Sequence, residues 1–225
     1  MTQGEALGVS RSAVESVAGR VDDATWARVE AYAGLLSEDA RRLSLISHRA
    51  ASQIGYHVLD SAAVLGALRD ESGTGLDAEL VDLGTGGGLP GLVIAILRER
   101  TRVVLVDSRN AKVVFLKRAV RELGLGNVEV VHERIEALAG RRQFDLAVSR
   151  ALGSLRDTLA PSLRLLGPAG RLVLFKGPGW AGEEEEAMRI AAGVGCDMGW
   201  LRKVDLPGLD RQTWFVEFHV KRPGA

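Results

Sequence analysis

Residues 80–91 read LVDLGTGGGLPG. An apolar run broken only by Asp82 opens into glycines at 84, 86, 87, 88 and 91, with Pro90 before the last. This is the pattern of a buried strand that turns directly into a helix, with backbone left bare for a ligand to approach. Two frames fit it. Gly86, Gly88 and Gly91 satisfy G-x-G-x-x-G, the dinucleotide fingerprint. Asp82, Gly84, Gly86 and Gly88 satisfy a second frame, acid-x-Gly-x-Gly-x-Gly.

The second frame belongs to enzymes that bind S-adenosylmethionine, and charge separates the two. A pyrophosphate needs free N–H groups at the helix start and no anion beside it. Here Pro90 removes a donor and Asp82 adds a negative charge. S-adenosylmethionine carries a sulfonium and an ammonium but no phosphate, and Asp82 suits that positive charge, directly or through water. Pro90 is expected at the first helical position. The next apolar run, VVLVD, ends on Asp107, roughly the ~20-residue spacing of a ribose-binding acid. Nicotinamide enzymes share that acid, so Asp107 does not choose between the cofactors. A flavodoxin-like domain with Asp82 and Asp107 as simple caps is the plain alternative.

Outward from the loop, short apolar runs alternate with helical stretches. Strands are expected at 79–83, 102–107, 128–132, 145–149 and 171–176, and helices at 90–99, 110–123, 154–166 and 183–193. Such alternation gives an α/β fold, a parallel sheet covered by helices on both faces. The runs 198–206 and 212–220 break the rhythm. The link PGLDR is too short for a parallel crossover, so these two are expected to pair antiparallel. Glu183–Glu186 read as the exposed, dipole-favoured start of a helix. Upstream, residues 1–10 read as a disordered lead and 11–68 as helical, with Asp22 and Asp23 placed to cap a helix carrying Trp26, Val29, Ala33 and Leu36. ESGTGLD, residues 71–77, is a polar break.

Two further positions fall at the ligand side of such a sheet. Glu133-Arg134-Ile135-Glu136 follows the third strand, where an adenine edge would meet backbone N–H groups and Ile135; a surface turn opening a short helix is the alternative. Arg150 ends the apolar run FDLAVSR, beside the crevice of an open α/β sheet; a structural salt bridge is its alternative. His48, His57, His132 and His219 show no metal spacing with each other or with Cys196, so no metal is expected.

Composition bounds the rest. The chain has 225 residues, 46% hydrophobic and 26% charged, and a formal net charge of zero, which argues against a grossly basic nucleic-acid coat protein but allows a local basic face. A single cysteine allows no intrachain disulfide, the first residues lack an apolar signal core, and the longest apolar stretch, Leu89–Leu97, is too short to span a bilayer. A cytoplasmic protein without membrane association is expected, and no apolar stripe demands more than a monomer.

With these residues in hand, the chain resembles the bacterial small-subunit ribosomal RNA guanine-N7 methyltransferases, the glucose-inhibited-division-protein-B family. HVLDS (57–61) resembles the family's H-x-x-D-S segment and DLGTGGGLPG (82–91) its glycine loop. FLKRAV with Lys112, SRAL (149–152), LFKG (174–177) and LPGLD (206–210) continue the series in order, from about residue 25 to the end. Two departures stand out. LSLIS (43–47) replaces the family's usual N-L-T, and DSRNAK has a single lysine where members often carry two adjacent basic residues. The resemblance implies a Rossmann-like class I S-adenosylmethionine methyltransferase, with a seven-stranded sheet ending in an antiparallel hairpin. It implies a helical N-terminal extension over 1–75 and a cofactor-binding domain over 76–225. It places cofactor contacts at Gly84, Leu89, Ile135, Glu136 and Arg150, beside the Asp82, Gly86 and Asp107 read above. The implied substrate is N7 of one guanine in 16S rRNA, guanine 527 in the usual count, as rRNA or within the small ribosomal subunit.

N7 holds a free lone pair, so methyl transfer there needs no strong general base, and position and electrostatics carry the chemistry. Arg150 is expected to bind the methionine carboxylate, an RNA phosphate or a guanine acceptor such as O6. In A-form RNA the N7 edge lies in a groove too deep and narrow for a protein pocket, so the base must sit in a loop or flip out. Arg42, Lys112 and Lys176 are the first candidates to guide the RNA backbone, with Arg41, Arg49, Lys117, Arg118 and Arg156 as further surface cations. The alternatives are a methyltransferase of a small molecule or protein, and a nonenzymatic nucleotide-binding module.

Overall fold

The computed structural model describes residues 8–46, 53–68, 79–150 and 154–221, with Arg156, Asp157 and Pro178 described by backbone alone. The first seven residues, His48, Arg49, the break at 71–77, the 75/76 boundary and Ala151–Leu152 lie outside the described residues, as does the Arg156 side chain. The chain opens with helices α1 (Arg11–Ala18), α2 (Asp23–Asp39) and α3 (Ile54–Ala67). Then follow β1 (Glu79–Leu83), α4 (Gly91–Leu97), β2 (Arg102–Asp107), α5 (Asn110–Glu122), β3 (Val128–His132), α6 (Ile135–Leu138) and β4 (Phe144–Arg150). The last third holds α7 (Leu155–Leu163), β5 (Leu166–Lys176), a 3-10 turn (Pro178–Gly182), α8 (Glu184–Gly193), β6 (Cys196–Asp205) and β7 (Gln212–Val220).

The strands form one seven-stranded sheet in the order β3-β2-β1-β4-β5-β7-β6. The first five are parallel, and β7 runs antiparallel to both β5 and β6. The expected terminal hairpin is therefore present. The central strands are buried on both faces, which is why they read as Leu- and Val-rich runs rather than alternating ones. Leu80, Leu105, Val148 and Phe215 face one side with Val14, Tyr32, Leu36, Leu59, Leu92 and Phe115 from α1–α5. Val81, Val104, Leu172 and Phe218 face the other with Leu138, Leu159, Ala187 and Trp180. Cys196 opens β6 fully buried. Among the described residues no helix is long and apolar enough to cross a membrane.

Asp22 caps α2 as its sequence suggests, its carboxylate accepting the Thr25 N–H at 2.7 Å. Other boundaries shift. The end of the expected disordered lead is ordered: Val9 enters the core and Ser10 caps α1 by accepting the Ala13 N–H. Pro90 is the cap residue of α4 rather than its first residue, and the Leu89–Pro90 peptide is cis. Helix α7 stops at Leu163, and β5 starts at Leu166, five residues before the expected Arg171. The cause is pairing: Phe144 lies opposite Leu166, then the register shifts so that Leu146 meets Arg171.

Candidate active site

Strand order reverses between β1 and β4, and a ligand crevice is expected at the carboxyl ends of strands around such a point. A cavity of about 800 Å³ lies there. Its floor is the glycine loop from Gly84 to Gly87 with Leu89, and its sides are Arg109 just before α5, Lys112 of α5, Arg150 of β4, Phe175 and Lys176 of β5, and Thr213 of β7. Helix α3 contributes Tyr56, His57 and Asp60, and the segment after α2 adds Ser44, Leu45 and Ile46.

The loop is tied down from three directions. Gly84 and Thr85 both donate to the Val106 carbonyl, at 2.9 and 3.1 Å, which seats the loop against β2. Gly86 has φ +60, and a Cβ there would meet the Leu45 carbonyl oxygen at 3.0 Å. The buried Tyr32 hydroxyl reaches across from α2 and donates to the Gly87 carbonyl at 2.8 Å. A Cβ on Gly91 would run into Leu105 and Asp82, which allows α4 to start hard against β1 and β2.

Asp82 points inward. One of its oxygens, Oδ2, accepts the Thr85 hydroxyl at 2.6 Å and the Gly91 N–H at 2.8 Å, while Oδ1 is buried with no partner among the described residues. Burial outweighs both bonds and pushes its pKa up to about 6. Asp82 thus fills the first free amide of α4 with the protein's own carboxylate and does not line the cavity. Asp107 sits one strand over, at the loop's edge: Oδ2 accepts the Gly86 N–H at 3.0 Å, Oδ1 accepts the Arg109 N–H at 2.9 Å, and the Lys112 ammonium stands 3.7 Å away.

Arg150 does reach the cavity. Its Nη1 lies 2.9 Å from His57 Nδ1 and 3.4 Å from Asp60 Oδ2. Asp60 is buried and also accepts the Thr213 hydroxyl; burial raises its pKa, and Thr213 and Arg150 offset part of that rise. Burial first, then Arg150 and Arg211, lower the pKa of His57 to about 4.

Of the residues singled out from sequence, Gly84, Gly86, Leu89, Lys112, Arg150 and Lys176 meet around the cavity. Ile135 and Glu136 form the first turn of α6, where Ile135 packs on the far face of the sheet; neither lines the cavity. Arg42 lies outside it and bonds Asp39, at 3.1 Å through Nε and more closely through Nη2. Lys176 pairs with Glu183 at 2.9 Å and stands 5.1 Å over the Trp180 ring. Arg118 pairs with Glu38, Asp39 and Glu122, and Arg41 and Lys117 are exposed. Sequence reasoning missed Tyr32, Arg109 and the Asp60–Thr213 side of Arg150. One signal was present: His57 and Asp60 are three apart, which on a helix places both on one face. No group of His, Cys, Asp or Glu among the described residues is arranged to hold a metal ion.

A family model described as rRNA small subunit methyltransferase G matches residues 25–193. A "Ribosomal RNA small subunit methyltransferase G" of Hydrogenovibrio crunogenus is 34% identical, over 87% of this chain and 86% of its own. One of Moorella thermoacetica is 38% identical, over 72% of this chain and 68% of its own. Among solved structures, a precorrin-6y C5,15-methyltransferase of Geobacter metallireducens overlays with a TM-score of 0.51 at 16% identity, covering 72% of this chain and 86% of that one. The branched-chain polyamine synthase C9 mutein of Thermus thermophilus gives 0.55 at 17% identity, covering 72% and 56%. At such identities the structural likeness concerns the fold alone.

Proposed function

The chain belongs to the rRNA small subunit methyltransferase G family, whose members use S-adenosylmethionine, and from that premise we propose that it methylates N7 of a guanine in 16S rRNA, guanine 527 in the usual count. The observation that carries the cofactor side is Asp82. A carboxylate that already holds the Gly91 amide leaves the start of α4 unsuited to a pyrophosphate. The loop's remaining surface suits a donor without phosphates. When bound, S-adenosylmethionine supplies an electrophilic methyl group on sulfur.

The chain's own residues supply position. The backbone at Gly84 and Gly86 lets the donor lie close to β1, and Leu89 gives it an apolar wall. Asp107, at the end of β2, offers two oxygens to ribose hydroxyls in exchange for one of its main-chain bonds. Ile135 and Glu136, in the first turn of α6 after β3 and outside the cavity's lining, flank the adenine edge. Arg150 meets an oxygen acceptor across the cavity. None of these acts as a strong base, and N7 needs none. The RNA approaches across Lys112 and the neighbouring Arg109, with Arg42 and Lys176 exchanging their carboxylate partners for phosphate.

Incubation with tritiated donor tests the assignment. Label is expected in 16S rRNA, presented as small subunits or as naked RNA, at a single guanine, and released as a 7-methylated base. Label entering a small molecule or a protein instead, with none in RNA, would overturn it.

A further inference from the structure

We infer that His57, Asp60 and Thr213 form a cradle that fixes the Arg150 guanidinium toward the cavity, with His57 serving as a neutral hydrogen-bond acceptor. The inference rests on the methyltransferase reading for its kinetic arm and on geometry for the rest. Three separate elements converge: α3 brings His57 and Asp60, β4 ends on Arg150, and β7 brings Thr213. The Arg150 side chain is 18% exposed and that of Asp60 7%. A cation so enclosed needs compensation, and Asp60 supplies the charge.

His57 contributes direction rather than charge. A guanidinium has only N–H donors, so a nitrogen 2.9 Å from Nη1 must offer its lone pair. Nδ1 is therefore the acceptor, the ring is neutral, and its proton sits on Nε2, which is buried without a partner among the described residues. A protonated ring would lose the bond and set a second cation against Arg150. Burial, Arg150 and Arg211 all oppose that protonation. Ser61, next along α3, stays out of the cradle because its hydroxyl donates back to the His57 carbonyl at 2.7 Å. With Nη1 held on one side by two acceptors, the plane of the fork is set. A set planar fork recognises an oxygen acceptor, either the methionine carboxylate of the donor or an oxygen of the RNA.

The test compares Arg150→Lys, His57→Phe, His57→Asn and Asp60→Asn with the wild-type chain. The Phe variant keeps a ring without an acceptor, and the Asn variant returns an amide oxygen near the position of Nδ1. Nitrogen-15 spectra of the arginine side chains, with the Arg150 signals assigned by their loss in Arg150→Lys, report guanidinium rotation whether or not the protein turns over. Calorimetry with S-adenosylhomocysteine, KM for small subunits and kcat report function. The expected result is that Arg150 rotates slowly in the wild type and freely in His57→Phe. His57→Phe and Asp60→Asn should damage the same parameter as Arg150→Lys, by about tenfold or more. His57→Asn should restore both the slow rotation and that parameter to within about threefold. Weakened S-adenosylhomocysteine binding assigns the methionine carboxylate, and a raised KM for RNA at unchanged S-adenosylhomocysteine affinity assigns an RNA oxygen; either keeps the cradle. Unchanged Arg150 rotation in His57→Phe, or His57→Asn as harmful as His57→Phe, overturns it. If the wild type labels no RNA, the assigned reaction fails, and rotation and calorimetry still decide the cradle.

Discussion

Asp82 shows how one carboxylate can serve the fold while standing next to the chemistry. The sequence suggests an acid for the donor's positive charge. The structure turns its Oδ2 to Thr85 and Gly91 and leaves Oδ1 buried alone. That orientation was not legible, because it depends on the start of α4 being brought back against β1. Its titration follows. Burial raises the folded pKa from 3.8 to about 6, so between these values the folded chain keeps a proton that the unfolded chain has shed. The contribution to stability is full below about pH 3.8 and is lost as pH rises through about 6, by roughly 3 kcal/mol. Asp82→Asn removes that dependence. Urea unfolding of both chains from pH 4 to 7 should show the wild type losing ground to the variant by about that amount, and parallel curves would contradict it. Arg150, by contrast, was legible as a residue at the crevice, since the carboxyl end of β4 lies there, and it also makes the ion pair that was its alternative, with Asp60.

At the scale of elements, α2 works as a buttress for the glycine loop. Tyr32 bonds the Gly87 carbonyl, and Leu36 packs where a Cβ on Gly87 would stand, 2.7 Å from its Cδ1. Tyr32→Phe should cost about 1 kcal/mol in chemical denaturation. Leu36→Ala should cost about 2–5 kcal/mol and also weaken S-adenosylhomocysteine binding, because the loop loses its backing. A variant as stable and as tight-binding as the wild type would remove α2 from this role. The helix itself was readable from the Asp22 cap and the spacing of Val29, Ala33 and Leu36. So were β1 and β2, whose apolar runs end at glycine or acid, β3, and the β6–β7 pair, whose link is too short for anything but a hairpin. The early start of β5 was hidden, because Leu165 and Leu166 continue the apolar run of α7 and only pairing with Phe144 claims Leu166 for the sheet. The Tyr32–Gly87 bond was hidden too, since 55 residues separate its ends.

At the scale of the molecule, α1–α3 share one apolar core with the near face of the sheet. A chain begun at Glu79 would expose the partners of Val14, Tyr32, Leu36 and Leu59. Its unfolding should lose cooperativity by circular dichroism, and a sharp two-state transition would show the helices to be an independent cover. Net charge is zero, so rRNA affinity must come from local cations and fall with salt. The slope of log affinity against log salt should shrink by about 1 for each phosphate contact removed. Arg109→Ala, measured by filter binding from 50 to 200 mM salt, should show about that change, and an unaltered slope would take Arg109 out of the RNA path. Finally, the chain's single thiol, Cys196, is sealed under the sheet, its pKa pushed up to about 11 by burial. Such burial predicts silence toward maleimides and disulfide reagents while the strands stay paired. Any such reagent that marks the wild type is timing the opening of the β6 edge. A cysteine introduced on the surface could then carry a fluorophore without competition, so that the docking of 16S rRNA could be watched from one chosen position.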